Sequence, residues 1–329
     1  MKKKILITGV AGYIGSSLNN YLYKKEKVYS LDKENPNKWT KFKKKFFFKC
    51  NLLNKKKLEK IIEKLKPDLI IHLAGKSTVN EKIPYQKYFL NNVITMRNLL
   101  SVMKKYKIDK IIYSSTAAVY NKKNNFIGEN DKLNPISNYG KSKLKAERLL
   151  RKNKNLDFII LRFFNVSSSI PNPLIGEFHK PETHLIPTLI HKTLEKKKIN
   201  IFGNNYKTSD GTCMRDYVHI IDICRAIIFS KNYLFKKKNK KIILNIGNGK
   251  AISIKQIINE LKNNFKLNLK IKYIGRRKGD SPFLVCNINK AKKIIKWKPI
   301  YSKIIRILKD EVKWSKYLIK SNNKRLFIK

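Results

Sequence analysis

The sequence predicts a doubly wound α/β fold, a parallel sheet covered by helices on both faces. Three features predict it. Short apolar runs alternate with amphipathic stretches through the first half of the 329 residues, the rhythm of successive βαβ crossovers. The first run ends in a glycine-rich turn, TGVAGYIG, after which helical spacing begins. The second run ends in an acid, Asp32.

Taken in order, residues 4–10 form the first strand, and Ile14, Leu18, Tyr21 and Leu22 line one face of the helix that follows. KVYSLD (27–32) is the second strand, and DLIIHLAG (68–75), KIIYSSTAAVY (110–120) and DFIILRFFNV (157–166) are the next strand-like runs. Helical segments at about 55–65, 88–106 and 138–152 separate them. The rhythm breaks after residue 166, where SSSIPNPLIGEFHKPETHLIP reads as a loop leaving the sheet. The expected layout is a Rossmann-type domain over 1–166 and a smaller α/β substrate-binding domain over 167–329. A segment near 215–250 is expected to return to the first domain.

Composition restricts the classes of function. The chain is 42% apolar, with 75 basic and 22 acidic residues and a formal net charge of +53. Of the basic residues 65 are lysine and only 10 arginine, spread along the whole chain with many Asn, Ile, Phe and Tyr. Nucleic-acid binders concentrate their charge and favour arginine for bidentate contacts. These residues share A/T-rich codons, so compositional drift accounts for the charge and no specific nucleic-acid partner is expected. The lysine runs at 43–45, 55–57, 196–198 and 236–238 are expected to be solvated faces. Cys50, Cys213, Cys224 and Cys286 are scattered, without metal-ligand spacing, and are expected to be reduced thiols. No metal is expected. The opening MKKKILITGV has too short an apolar run for a secretion signal, and no stretch reaches the length of a membrane span. A cytoplasmic protein with no membrane partner is the expectation.

Gly9, Gly12 and Gly15 sit between the first strand and first helix. There the backbone can approach a pyrophosphate resting on the positive end of the helix. Asp32 is placed to bond both ribose hydroxyls and to repel a 2′-phosphate, so NAD is expected over NADP.

A tyrosine followed four residues later by lysine suits redox chemistry on an alcohol, but lysine follows at that distance after Tyr21, Tyr23, Tyr29, Tyr106, Tyr139 and Tyr233. The phenol must reach a nicotinamide beyond the carboxyl ends of the strands. Tyr21 and Tyr23 lie on the first helix, Tyr29 inside a strand, Tyr106 at a helix end on the far side, and Tyr233 on a lysine-rich surface segment. Only Tyr139 starts a helix just after a strand that ends in Ser114, Ser115 and Thr116. Free tyrosine titrates near 10, so a base active near neutrality needs a lowering of about 3 units, roughly 4 kcal/mol. Lys143 and an oxidised nicotinamide, both positive, are the expected source. Thr116 is expected to hydrogen-bond the reacting oxygen.

These residues together resemble the extended short-chain dehydrogenase/reductase family, over essentially the whole chain. ITGVAGYIGS, HLAG, YSSTAAVY, YGKSKLKAE and LRFFN are similar to the wider family. HKPETHLIPTLI (179–190), FGNNYKTSDGTCMRDYVHIIDI (202–223), LNIGNGKAISI (244–254) and GRRKGD (275–280) resemble its UDP-glucose 4-epimerase branch. The resemblance implies an NAD site that includes Tyr13, Ile14, Asn51, Leu52, Ala74 and Lys143. It also implies a UDP-hexose site of Asn165, His184, Arg215, Tyr217, Arg277, Asp280 and Leu284. In that site the two arginines hold the diphosphate, Asn165 contacts UDP, His184 is a polar diphosphate contact and Asp280 lies near the uridine ribose. The implied reaction is reversible oxidation at sugar C4 with Tyr139 as base. The 4-keto sugar turns about its phosphate linkage before reduction from the other face. A homodimer paired through 88–106 and 138–152 is implied as well. The sequence departs from the family at Val10, where glycine is common, at Asn51, where an acid contacts adenine, and at Ser77, near a usual lysine. A 4,6-dehydratase would follow the threonine with Asp-Glu, whereas Thr116 is followed by Ala117 and Ala118. Leu284 stands where room for an N-acetyl group is gauged, and N-acetylated UDP-sugars remain an alternative substrate. A non-catalytic NAD-sensing or polyanion-binding protein is a further alternative, opposed by the intact Thr116, Tyr139 and Lys143.

Overall fold

The sheet strands are short and mostly apolar, and those at its centre are buried on both faces, as parallel strands covered by helices must be. They are β1 (Lys4–Thr8), β2 (Lys27–Asp32), β3 (Phe47–Lys49), β4 (Leu69–His72), β5 (Lys110–Thr116) and β6 (Asp157–Phe163). The computed structural model describes residues 2–36, 40, 42–78, 80, 82–121, 124–172, 174–178, 182–237, 240–277 and 280–322. Lys241–Ile246 pairs parallel with β6 and completes a seven-stranded sheet, ordered from that strand through β6, β5, β4, β1 and β2 to β3. Ile7 pairs with Ser30 of β2 on one side and Ile71 of β4 on the other. The strand order reverses at β1, which opens a crevice at the carboxyl ends of β1 and β4.

Alternation along the strands feeds two cores. Ile5, Ile7, Leu69, Ile71, Ile159 and Leu161 point to one, under α1 (Tyr13–Leu22) and the helix Ile220–Lys236. Leu6, Ile70, Ile111, Tyr113, Phe158 and Ile160 point to the other, under α2 (Lys55–Leu65) and the helices that follow it. Helix α2 shows how local sequence sets the ends. The Asn54 side chain accepts from the Lys57 amide, Leu58, Ile61, Ile62 and Leu65 make the buried stripe, and Lys66 stops the helix at φ 43°.

Three expected elements differ in detail. The helix expected at 88–106 begins earlier, as α3 (Tyr85–Tyr88), widens into a π-helical segment (Phe89–Ile94) and continues as α4 (Thr95–Lys105). The widened turn carries Asn92 inward, where its amide donates to Ser142 Oγ at 2.8 Å and its oxygen accepts from the Lys76 amide at 2.7 Å. The strand expected to run to 120 stops at Thr116, whose hydroxyl accepts from the Ala118 amide and caps a 3-10 turn, Ala117–Val119. The run expected to 166 ends at Phe163, and Asn165–Ser167 pairs instead with Tyr217–His219.

Beyond α5 (Asn138–Arg151), a third core gathers α6 (Leu185–Leu194), α8 (Ile254–Asn263) and α10 (Ile304–Asn322) around the paired strands Ile199–Phe202 and Ile271–Ile274. Between them, α7 (Ile220–Lys236) lies against the main sheet, and α9 (Asn289–Ile295) packs beside it. Tyr233, expected on a surface segment, sits on α7 with its ring packed on the sheet core, because the apolar stripe of that helix includes it. The lysines at 43–45, 55–57 and 196–198 are exposed, as are Lys236 and Lys237; Lys238 lies outside the described residues. All four cysteines are buried free thiols. No helix among the described residues is long and apolar enough to cross a membrane.

Candidate active site

The glycine turn joins β1 to α1 at the crevice. Gly9 has φ +82°, and a Cβ there would lie 2.5 Å from the Ala74 amide nitrogen. A Cβ on Gly15 would lie 2.0 Å from the Gly9 carbonyl oxygen. Both positions are therefore closed to side chains by backbone. Gly12 faces outward, with only Gly9 O near it at 3.4 Å, and it caps α1 without a side chain. The first amides of α1 are thus left facing the crevice, the arrangement that receives a pyrophosphate. Val10 is fully buried beneath the turn, and Ile14 packs on the first core. The Tyr13 hydroxyl donates to the Ser168 carbonyl.

At the end of β2, Asp32 accepts from the Ala11 amide at 2.9 Å and the Glu34 amide at 3.1 Å, which fixes its carboxylate beside the turn. Asn51 is exposed and its side chain accepts from the Leu53 amide, whereas Leu52 is buried. The Ala74 amide meets Thr8 Oγ1 at 3.5 Å, and Ser77 is exposed. This ring of carboxylate, glycine turn and helix start fits a dinucleotide.

Across the crevice, Tyr139 and Lys143 rise from the first turns of α5, whose N-cap Ser137 accepts from the Gly140 amide at 3.1 Å. Burial pushes the Tyr139 phenol up to about 12, against the lowering effect of a hydrogen bond with Thr116. Burial pushes the Lys143 ammonium down to about 7, with the charge of Glu147 acting the other way. The Lys143 Nζ lies 4.3 Å from the centroid of the Tyr113 ring. Below it, Thr8 Oγ1 and His72 Nδ1 are 2.7 Å apart. Burial and the Lys143 charge push His72 down to about 3, so it is neutral. The lowering of Tyr139 expected from Lys143 is not present in the protein by itself.

Sequence reasoning missed what stands behind this pair. Glu147 is wholly buried and takes a bidentate grip from Arg162, at 3.0 Å from Nε and 2.7 Å from Nη2, and the Ser115 hydroxyl donates to it. Arg162 in turn donates to the Tyr120 hydroxyl at 2.9 Å. The signal was available, because Tyr139, Lys143 and Glu147 recur every four residues on one helical face. Asn92, on the π-helical segment, carried no such signal.

The expected substrate residues fall into two groups. Leu284 pairs in register with Arg215, Arg215 Nη2 lies 3.7 Å from Asp280, and Arg277 Nη2 donates to Asp280 at 2.9 Å. Arg215 also donates to the Ser281 carbonyl at 2.7 Å. Leu284 packs on the cluster of Ala117, Leu144 and Phe164, which joins this group to the Tyr139 side of the crevice. Asn165 is two residues past β6 and donates to the Asp216 carbonyl at 3.0 Å, next to the buried Tyr217. His184 stands apart from the arginines' contacts. It caps α6, and its Nδ1 lies 2.8 Å from Glu177 and 3.7 Å from Glu182. Burial opposes its charge, but the Glu177 hydrogen bond outweighs that and raises it to about 9.

Residues 5–247 match the model of the NAD dependent epimerase/dehydratase family. The chain belongs to that family. Among curated members, it is 33% identical to the UDP-glucose 4-epimerase of Halalkalibacterium halodurans over 319 residues, 95% of each chain. A crystal structure of a UDP-glucose 4-epimerase superposes with a TM-score of 0.90 at 33% identity, covering 98% of this chain and 100% of that one. The UDP-glucose 4-epimerase of Bifidobacterium longum, solved in complex with NAD+ and UDP, gives 0.86 at 26% identity, covering 97% and 99%. As a member of the epimerase/dehydratase family the chain uses NAD, which agrees with the glycine turn and Asp32. Ala117 and Ala118 follow Thr116, so no carboxylate stands at these two positions.

Proposed function

We propose that this chain is an NAD-dependent UDP-glucose 4-epimerase that interconverts UDP-galactose and UDP-glucose. The observation that supports it best is that Tyr139 lies beside Thr116, with Lys143 buried one turn further along α5 next to the glycine turn and joined through the Leu284 cluster to Arg215 and Arg277. The relatives at about a third identity over nearly the whole chain carry the same activity in their names.

NAD, when bound, accepts the hydride of sugar C4 and gives it back. Gly9, Gly12, Gly15, Tyr13 and Ile14 would receive its pyrophosphate, Asp32 its adenosine ribose, and Asn51, Leu52 and Ala74 its flanks. Tyr139 removes the O4 proton and later returns it. Starting from about 12, the phenol must fall by about 5 units to act near neutrality, roughly 7 kcal/mol. Lys143 supplies part of this when charged. Thr116 holds O4 in line. Arg215 and Arg277 hold the diphosphate bidentately, with Asn165, Tyr217, Asp280 and His184 around the nucleotide. Grip on the nucleotide rather than the sugar leaves the 4-keto ring free to present its other face. Leu284 is a partly buried strand residue of moderate size, and N-acetylated UDP-sugars are the second substrate class to assay. We assign 1–166 and the segment near 215–250 to NAD binding, and the remainder mainly to UDP-sugar binding. A homodimer through the helices at 88–106 and 138–152, acting in the cytoplasm without a metal in catalysis, completes the proposal.

The deciding experiment incubates purified protein with UDP-galactose, then with the N-acetylated pair, and follows the C4 epimer. Conversion is expected, and Tyr139→Phe should lower it by about 10²–10⁴-fold while retaining NAD. NAD-loaded protein that converts neither pair would remove the epimerase reading, and a Tyr139→Phe variant with near-normal rate would remove Tyr139 as the base.

A further inference from the structure

Asp216 is fully buried and has no task in the proposed reaction. It is the single residue between two short strands that belong to different sheets. Met214–Arg215 pairs with Phe283–Leu284, and Tyr217–His219 pairs with Asn165–Ser167. Both main-chain groups of Asp216 bridge this joint. Its amide donates to the Leu284 carbonyl at 3.2 Å, and its carbonyl accepts from the Asn165 amide and from Asn165 Nδ2, each at 3.0 Å.

The side chain ties in two more segments. Oδ1 accepts from the Asn248 amide at 2.5 Å. Oδ2 accepts from the Gly249 amide at 2.9 Å, the Cys286 amide at 3.3 Å and the Cys286 thiol at 3.2 Å. The facing loop is shaped to admit the carboxylate. A Cβ on Gly247 would lie 2.8 Å from both of its oxygens and 2.5 Å from Cys286 Sγ, and Gly249 holds φ +70°. Burying a carboxylate costs free energy that its hydrogen bonds must offset, and an apolar side chain in the same space would avoid that cost. What the carboxylate adds is geometry. Its donors come from segments 32 and 70 residues further along the chain, and charge-assisted bonds to main-chain amides fix both distance and direction.

We propose that Asp216 is the positioning residue of the diphosphate grip, locking Arg215, Asn165 and Leu284 into one frame across the joint between the two sheets. Arg215 adjoins it in the chain, while Asn165 and Leu284 are bonded to its main chain. The proposal rests on the reading of Arg215 and Asn165 as UDP contacts. Asp216 touches neither nucleotide nor sugar in this scheme. It acts through the residues that do, so its loss should loosen the hold on UDP and leave hydride and proton transfer at C4 nearly unchanged.

The test measures UDP affinity by calorimetry on NAD-loaded full-length protein, together with KM and kcat for UDP-galactose. Asp216→Asn sets an amide NH2 against main-chain N–H donors and should weaken UDP binding by about 10–100-fold. KM should rise in parallel, with kcat within about threefold and NAD retained. Cys286→Ala removes one donor and should raise KM by about threefold, and Cys286→Ser, which keeps a donor there, should restore it. A residue needed only for folding would reduce the yield of folded protein and leave the UDP affinity of the folded fraction unchanged. Folded Asp216→Asn protein with wild-type UDP affinity therefore overturns the proposal, as does a variant that loses kcat or NAD while keeping KM. Should Asp216→Asn fail to fold, equal KM in wild type, Cys286→Ala and Cys286→Ser overturns it instead. Wild-type protein that binds NAD but no UDP would remove the substrate-site reading itself, and this proposal with it.

Discussion

Lys143 is a charged group held where water cannot reach it, and its function and its cost have the same cause. Burial pushes its pKa down to about 7 from an ordinary value of 10.5. Below pH 7 it is protonated in both folded and unfolded chains, so the folding penalty is fully present there. As pH rises from 7 towards 10.5, the unfolded chain holds the extra proton and the penalty fades. Lys143→Met should therefore stabilise the NAD-free protein by roughly 1–4 kcal/mol at pH 6–7, with the gain shrinking by pH 10. The same variant should lose nearly all turnover. Thermal melts of NAD-free wild type and variant across that pH range check it, and a variant less stable at pH 6 would mean that Lys143 is held by an attractive partner rather than by burial alone. Among the described residues Glu147 alone opposes the shift, and it is itself bound by Arg162 and Ser115.

At the scale of elements, the glycine turn is a three-way contact of backbone, and its geometry gives a sharp comparison. A Cβ on Gly15 meets only backbone atoms, at 2.0, 2.7 and 2.9 Å, whereas a Cβ on Gly128 meets nothing within 4 Å. Gly15→Ala should cost about 1–3 kcal/mol through forced displacement of the turn and weaken NAD binding at least tenfold, while Gly128→Ala should change neither. Equal NAD affinity in the two variants would show that the turn does not set the cofactor site. The turn, Asp32 and the strand–helix rhythm were readable because each depends on local chemistry: periodicity, a required glycine, an acid at a strand end. Helix α2 matched its apolar stripe for the same reason. The π-helical segment Phe89–Ile94 was not readable, since its apolar spacing is that of an ordinary helix and only the inward Asn92 reveals it in space. Nor was the clamp of Asp216 on the Asn248 and Gly249 amides. It joins residues more than thirty positions apart, which no local pattern encodes. Tyr139 was separable from five chance pairs only through its place in the predicted topology.

For the whole molecule, charge and assembly act against each other. Each chain carries a formal +53, so a dimer brings together +106, twice that value. The helices proposed to pair also bear exposed basic residues, Lys87 before the π-helical segment and Lys141, Lys145 and Arg148 on α5, beside the 46% exposed Leu90. Apolar contact must outweigh repulsion between like surfaces, and that repulsion depends on salt. At about 0.02 M ionic strength charges interact over roughly 20 Å, and at about 0.3 M over only a few ångströms. The proposed homodimer should therefore tighten as salt increases, opposite to an interface held by ion pairs. Sedimentation equilibrium should give about twice the 38.7 kDa chain mass at high salt and a shift towards the single chain at low salt. A single-chain mass at both would reject the homodimer. A dimer that loosens with added salt would place attractive ion pairs at the interface, contrary to the excess of lysine on these helices.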